Sequence, residues 1–118
     1  MARVLVVEDE PNIGSIIVFK LEREGHEVRW ERGAAGVRHA AASTQPDLVL
    51  LDWSLPDGNP IEVLTALLPI PTVVMTEFRD TAAPPQALAA GARATVEKPF
   101  KPTQLARLVT QLTPTAAR

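Results

Sequence analysis

Residues 48–58 read LVLLDWSLPDG, and the fold prediction depends on this stretch more than on any other. Four successive apolar residues predict a strand buried on both faces, as in the centre of a parallel sheet. Asp52 ends that strand, and a Pro-Asp-Gly turn follows it. Ligands of open α/β sheets bind just beyond the carboxyl ends of the strands. Asp52 is therefore a candidate for chemistry, and the alternative is an acidic residue that merely ends a strand.

Composition excludes several classes of protein. The 118 residues suffice for one domain, which we place at residues 1–112, with residues 113–118 as a C-terminal tail. The formal net charge of −2 gives no overall attraction to nucleic acid or to an anionic membrane. Cysteine is absent, which excludes disulfides and cysteine metal sites. Because there is neither a signal peptide nor a run of about 18 apolar residues, we expect a soluble, cytoplasmic protein.

Four further segments are predicted to be strands, and helical patterns separate them. The strands are residues 4–7, 26–31, 72–75 and 94–96. The apolar positions expected to face the core are Ile13, Ile16, Ile17 and Leu21 in the first helix, Val37, Ala40 and Ala41 in the second, Ile61, Val63, Leu64, Leu67 and Leu68 in the third, and Leu105, Leu108, Val109 and Leu112 in the last. The fourth helix must begin near Pro84 or Pro85, since an interior proline costs about 3 kcal/mol. Five strand–helix repeats predict an α/β fold, a parallel sheet with helices on both faces.

Polar residues follow the predicted apolar strands. They are Glu8 and Asp9, Asp52, Thr76 and Lys98. We expect them at one edge of the sheet, because the carboxyl ends of parallel strands meet there. Two carboxylates about 4 Å apart repel by about 4 kcal/mol at an effective dielectric constant of about 20. Lys98 supplies one positive charge, so we predict a hard divalent cation as well, Mg²⁺ or Mn²⁺ rather than Ca²⁺.

The predicted edge suits the chemistry of a phosphoryl group. Asp52 would be the nucleophile, Lys98 and the cation would offset charge on the phosphoryl oxygens, and Thr76 would donate a hydrogen bond. Such aspartyl-phosphate chemistry needs neither a histidine nor a glycine-rich phosphate loop. The alternative of a flavin or nucleotide binder on a similar fold is disfavoured, because its first loop would not carry three successive acids at residues 8–10.

These motifs together resemble the receiver domains of bacterial response regulators in two-component signalling, including those of the chemotaxis-regulator type. The matching stretches are residues 4–10 (VLVVEDE), 48–58 (LVLLDWSLPDG), 73–76 (VVMT), 90–92 (AGA) and 98–100 (KPF). The resemblance spans residues 2–112. It implies a flavodoxin-like, doubly wound sheet of five parallel strands in the order 2-1-3-4-5.

The resemblance also implies a function and a set of site residues. A histidine kinase or a histidine phosphotransfer protein would phosphorylate Asp52, and slow autodephosphorylation would follow without turnover of a separate substrate. Mg²⁺ would be held by Glu8, Asp9, Asp52 and the backbone carbonyl of Ser54. Thr76 and Lys98 would contact the phosphoryl group, and the Lys98–Pro99 peptide bond would be cis.

Three features of the sequence depart from the family pattern. Glu77 stands where the family usually has Ala or Gly; it would shield Asp52 or repel a phosphodonor, or else turn to solvent or pair with Lys98. Thr95 stands where the family has the switching aromatic residue. Pro84 and Pro85 shorten the fourth helix. Phe78 occupies a position that modulates dephosphorylation in the family, so we expect it to affect the lifetime of the phosphorylated state. Glu77, Thr95 and the two prolines motivate the alternative of a degenerate receiver, a protein-interaction module that works without phosphorylation.

The expected partners are the phosphodonor protein and a downstream effector that the sequence does not identify. Direct binding of nucleic acid or membrane is not expected of this chain, and the sequence predicts no particular oligomeric state.

Overall fold

The computed structural model describes residues 1–113 and contains one sheet of five parallel strands in the order β2-β1-β3-β4-β5. The strands and helices are β1 (Arg3–Val7), α1 (Pro11–Arg23), β2 (Glu27–Glu31), α2 (Val37–Thr44), β3 (Leu48–Asp52), α3 (Pro60–Leu67), β4 (Thr72–Thr76), α4 (Ala83–Ala89), β5 (Ala94–Glu97) and α5 (Pro102–Leu112). A 3₁₀ turn, Ala34–Gly36, precedes α2. The flavodoxin-like fold predicted from the sequence is confirmed.

Two apolar clusters cover the two faces of the sheet. One face carries α2, α3 and α4, with Val37, Leu64 and Ala87 in its core. The other carries α1 and α5, with Leu21 and Leu105 in its core. Every residue of the central strands β3 and β4 is buried. The sheet is therefore covered on both sides, as a continuous apolar run such as LVLL requires.

Local sequence explains where the helices begin. Pro11, Pro60 and Pro102 each begin a helix. A backbone N–H at the first position of a helix has no acceptor within the helix, so the absence of this group in proline costs nothing there. The Asn59 side chain accepts hydrogen bonds from the backbone N–H groups of Ile61 and Glu62 and so caps α3. The short helix α4 begins at Ala83, directly before the two prolines that predicted its start.

Some predicted core positions are wrong. Ile16 and Ile61 are 51% and 47% exposed, and Leu68 lies exposed beyond the end of α3. A helix that packs on a sheet buries a narrow stripe, here Ile17 and Leu21 in α1, and Ile16 is rotated by about 100° from Ile17. Periodicity identified the helices correctly but overestimated the width of their buried faces.

Two further features of the fold are its last described residue and two cis peptide bonds. Thr113, assigned above to the tail, is buried, and its hydroxyl donates to the Val109 carbonyl; the rest of that tail, residues 114–118, lies outside the described residues. The Lys98–Pro99 peptide bond is cis, as the resemblance implies, and Leu68–Pro69 is also cis. Between residues 1 and 113, no helix combines the length and the hydrophobicity needed to cross a membrane.

Candidate functional site

Four strand ends bring the predicted site residues to one edge of the sheet. Asp52 is the last residue of β3 and Thr76 the last of β4, while Glu8 and Lys98 directly follow β1 and β5. The strand register aligns these ends: Val7 pairs with Leu51, Asp52 with Met75, and Thr76 with Glu97. The expectation that the polar residues gather at the carboxyl edge is therefore correct.

An acidic cluster forms at the centre of this edge. Carboxylate oxygens of Glu8, Asp9 and Asp52 lie within 4.8 Å of one another. The Glu8 and Asp52 side chains are 0% and 2% exposed, and Asp9 is half-buried. Charges so close and so poorly hydrated repel each other and need a compensating cation.

Lys98 supplies part of that compensation. Its ammonium nitrogen lies 2.9 Å from Glu8 Oε1 and 3.4 Å from Asp52 Oδ1. A third carboxylate, Glu77, lies 3.4 Å from the same nitrogen. Among residues 1–113, Lys98 is the one lysine or arginine that forms an ion pair with a member of the acidic cluster. One ammonium against this many carboxylates leaves the site negatively charged.

The crowding of charge shifts three pKa values. Burial, followed by contact with Glu8, raises the pKa of Asp52 above its usual value. The pKa of Asp9 is also raised, first by its hydrogen bond with Asp52 and then by burial. Burial alone lowers the pKa of Lys98, but Glu8, Asp52 and Glu77 together raise it above its usual value. The site therefore favours protons on Asp9 and Asp52 and a positive charge on Lys98.

The residues present fit a hard divalent cation. The buried Glu8 Oε1 lies 2.9 Å from the Lys98 ammonium and has no other donor among residues 1–113. Oxygen donors from three carboxylates suit Mg²⁺ or Mn²⁺, which keep several waters and need few protein ligands. The backbone N–H of Ser54 donates to Asp52 Oδ1 at 3.0 Å and orients that carboxylate. The use of the Ser54 carbonyl as a ligand stays a prediction.

Thr76 and Thr95 lie on neighbouring strands. Thr76 is buried at the end of β4, and its backbone carbonyl accepts a hydrogen bond from the Lys98 N–H at 2.8 Å. Thr95 is half-buried in β5, opposite Val74. The strand ladder therefore connects Thr76 to Lys98 directly, whereas Thr95 lies further from the edge.

Glu77 and Phe78 stand at the mouth of the site. Glu77 is 53% exposed and also pairs with Lys98. The sequence left open whether Glu77 turns to solvent or pairs with Lys98, and the structure shows both. Phe78 is exposed, and the guanidinium of Arg79 lies 4.9 Å from the centre of its ring. A groove of about 460 Å³, called here the rim groove, opens beside them; its lining residues are Ile13, Ile16, Glu77, Phe78, Lys98, Pro99, Phe100 and Pro102.

Three contacts near the site were not predicted. Trp30 Nε1 donates to the Glu8 carbonyl at 3.0 Å, which its place at the end of an alternating strand could have suggested. Glu97 accepts a hydrogen bond from the backbone N–H of Arg79, whose φ of 62° is in the left-handed region. Asp57 accepts from the N–H groups of Ala34 and Ala35. Asp57 therefore joins two loops and lies outside the acidic cluster.

Comparison with known proteins agrees with this geometry. The family model described as response regulator receiver domain matches residues 4–110. The transcriptional regulatory protein KdpE of Mycobacterium tuberculosis is 41% identical over 103 residues, which are 85% of this chain and 46% of KdpE. The chain thus spans about half the length of the curated relatives it matches.

Solved structures show the same fold. NtrX from Brucella abortus, in a complex with ATP, superposes with a TM-score of 0.88 at 29% identity, over 94% of this chain and 26% of that one. The BeF3-activated N-terminal receiver domain of Klebsiella pneumoniae RstA gives a TM-score of 0.85 at 26% identity, over 93% of this chain and 97% of that one. With the family model covering nearly the whole sequence, this chain belongs to the response regulator receiver domains of two-component systems.

Proposed function

We propose that this chain is a phosphorylation switch that accepts a phosphoryl group on Asp52 in a Mg²⁺-dependent reaction. The observation that carries the proposal is the surrounding of Asp52: it is 2% exposed, shares a 4.8 Å cluster with Glu8 and Asp9, and lies 3.4 Å from the ammonium of Lys98. A structural aspartate at a strand end has no need of two further acids and a buried lysine.

Each residue has a separate role in this proposal. A carboxylate oxygen of Asp52 forms the bond to phosphorus, while the bond from phosphorus to the donor breaks and the donor atom keeps the electron pair. Lys98 offsets negative charge on the transferring oxygens. The Ser54 N–H holds one oxygen of Asp52 in place. Thr76, buried beside it at the end of β4, donates a hydrogen bond to the phosphoryl group.

Glu8, Asp9 and Asp52, with the backbone carbonyl of Ser54, would hold Mg²⁺, and Mn²⁺ would serve as a substitute. When bound, the cation neutralises charge shared by the acids and the phosphoryl oxygens. The donor set supports this assignment because it consists of oxygen atoms alone and includes the buried Glu8 Oε1, which has no donor other than the Lys98 ammonium among residues 1–113.

The phosphodonor in the proposal is a histidine kinase or a histidine phosphotransfer protein. Family membership supports it, since receivers act in two-component systems. Phosphorylation adds nearly two negative charges next to Thr76 and Glu77, enough to favour a different arrangement of the loop after β4. A shift from about 1:99 to 99:1 between two arrangements requires about 5.5 kcal/mol. The effector that reads this change is not assigned.

The proposal is tested by intact-protein mass spectrometry after incubation with acetyl phosphate, with Mg²⁺ or with EDTA. We expect one adduct of about 80 Da that needs the cation. Asp52→Asn should remove the adduct, while the circular dichroism spectrum stays that of the wild type. Asp57→Asn is the matched control, because this acid lies outside the cluster, and it should still be labelled.

Two outcomes would contradict the proposal. An adduct that persists in Asp52→Asn would place the acceptor on another residue. No adduct in the wild type, even with Mg²⁺ present, would favour the interaction module that works without phosphorylation.

A further inference from the structure

Lys98 is shared by three carboxylates that differ in exposure. Its nitrogen lies 2.9 Å from Glu8, 3.4 Å from Asp52 and 3.4 Å from Glu77. The first two are almost wholly buried, whereas Glu77 is 53% exposed. Water screens the pair with Glu77 most strongly, so this contact is the weakest of the three. Glu77 is therefore the carboxylate that leaves Lys98 most readily.

Glu77 also borders a groove that opens beside the site. It lines the rim groove together with Lys98, and the other lining residues are apolar or proline. Lys98 connects this groove to Asp52, because its nitrogen contacts both Glu77 and Asp52. An anion that enters the groove meets the exposed carboxylate of Glu77 beside the ammonium that should receive it.

We infer that Glu77 selects the phosphodonor by charge: it slows phosphorylation of Asp52 by doubly charged free donors more than by donors of lower charge. The inference rests on the proposed phosphorylation of Asp52. Its cause is twofold, since Glu77 repels an incoming anion and competes with it for Lys98. Both effects grow with the charge of the donor. The inference makes Glu77 a specificity-determining residue, which takes no part in bond formation.

Two small phosphodonors that differ in charge can test this inference. Acetyl phosphate is a dianion near neutral pH, whereas phosphoramidate carries one net negative charge and, like a phosphohistidine, transfers its phosphoryl group from nitrogen. With either donor, an oxygen of Asp52 forms the bond to phosphorus. The P–O bond of acetyl phosphate breaks and acetate leaves with the electron pair. The P–N bond of phosphoramidate breaks, and the nitrogen keeps the electron pair and leaves as ammonia.

The experiment measures initial rates of labelling by mass spectrometry, with each donor, in the wild type and in Glu77→Gln at saturating Mg²⁺. For Glu77→Gln we expect the acetyl phosphate rate to rise about two- to fivefold, the range expected for a partly exposed charge. The phosphoramidate rate should rise less. The difference between the two donors should shrink in high salt, which screens exposed charges.

Glu22→Gln is the matched control. It removes the same charge from an exposed site near the end of α1, which lies at the opposite edge of the sheet from Asp52. The ratio of the two rates should stay that of the wild type.

The outcomes separate this inference from the function on which it rests. Labelling with an unchanged ratio of rates in Glu77→Gln would overturn the selection by charge and leave Asp52 phosphorylation intact. The absence of labelling with both donors, in the wild type and in Glu77→Gln, would overturn the phosphorylation itself.

Discussion

Trp30 fixes the main chain at Glu8, because its indole Nε1 donates to the Glu8 carbonyl oxygen at 3.0 Å. The ring lies against Gly14 of α1, which is buried and has no side chain to displace it. A β2 residue thereby holds the first acid of the cluster between β1 and α1. The geometry of the acidic cluster depends on a packing contact as well as on the strand register.

Gly14→Ala tests this dependence. The new methyl group would overlap the Trp30 ring, and overpacking of this kind costs about 1–3 kcal/mol. The better helix propensity of alanine returns about 1 kcal/mol. The two effects leave a net fall of up to about 2 kcal/mol in the free energy of unfolding, measured with urea, and we expect Mg²⁺ to bind more weakly. The exposed neighbour Ser15→Ala should change stability by about 0.5 kcal/mol or less and leave the Mg²⁺ affinity that of the wild type; an unchanged Mg²⁺ affinity in Gly14→Ala would contradict the role of Trp30.

Mg²⁺ should stabilise the folded protein through the acidic cluster. At a concentration about 100 times its Kd, a ligand of the folded state adds about 2.7 kcal/mol to the free energy of unfolding. Thermal unfolding with and without Mg²⁺ measures this gain, and Asp9→Asn should reduce it because Asp9 belongs to the cluster.

Asp57 provides the control for that experiment. Asp57→Ala removes the acceptor of the Ala34 and Ala35 N–H groups, so the free energy of unfolding should fall, as it does when a helix cap is lost. The gain on adding Mg²⁺ should remain that of the wild type. If Mg²⁺ failed to stabilise Asp57→Ala but still stabilised Asp9→Asn, Asp57 rather than Asp9 would be assigned as the ligand.

Much of the site could be predicted because it follows from strand register alone. Apolar runs end in Asp52 and Thr76, and parallel pairing then brings these residues to the same edge as Glu8 and Lys98. Such reasoning needs only the order and type of the elements.

Side-chain partners across loops could not be predicted in the same way. His26 is buried and accepts a hydrogen bond from the Ala2 N–H, a partner that the alternating pattern of residues 26–31 does not predict. Asp57 belongs to the predicted Pro-Asp-Gly turn, yet its carboxylate accepts hydrogen bonds from a loop more than twenty residues away. These contacts depend on how loops from distant parts of the chain meet, which periodicity does not encode.

The affinity for Mg²⁺ should rise with pH. Burial raises the pKa of Asp52, and the hydrogen bond with Asp52 raises that of Asp9. Both acids therefore stay partly protonated at pH values above 3.8, their usual pKa. A cation binds the deprotonated carboxylates and must release those protons. Titration calorimetry in buffers of different ionisation enthalpy should detect proton release on binding, and the number of protons released should decrease as the pH rises. A Kd independent of pH would contradict this.

Without a metal ion, the same two acids should make the folded protein less stable as the pH rises. Their pKa values are higher in the folded state than in the unfolded state. Between pH 3.8 and the raised pKa values, the folded state therefore binds more protons than the unfolded state does. The free energy of unfolding therefore falls as the pH rises through that interval. Asp52→Asn should flatten this fall, and Mg²⁺ should reverse it. An equally steep fall in Asp52→Asn would assign it to other groups.

His26 should make the protein less stable in acid. Burial, and then the positive charge of the N-terminus, lower the pKa of His26 below its usual 6.5, although Glu24 opposes them. Its Nδ1 accepts the Ala2 N–H at 3.0 Å, and protonation removes that acceptor. The unfolded chain binds the proton more readily, so stability is full above about pH 6.5 and is lost as the pH falls toward the lowered value. The slope is limited to about 1.4 kcal/mol per pH unit for one group.

The contribution of His26 is isolated by comparing variants. Urea unfolding at several pH values between about 5 and 8 gives the stability of the wild type relative to His26→Gln, which keeps a hydrogen-bond acceptor but does not titrate. This difference should decrease as the pH falls below 6.5, the usual pKa of histidine. His39→Gln, at an exposed position of α2, is the control for the loss of a histidine. If the pH profile of His26→Gln ran parallel to that of the wild type, the contact with Ala2 would not be the source of acid sensitivity.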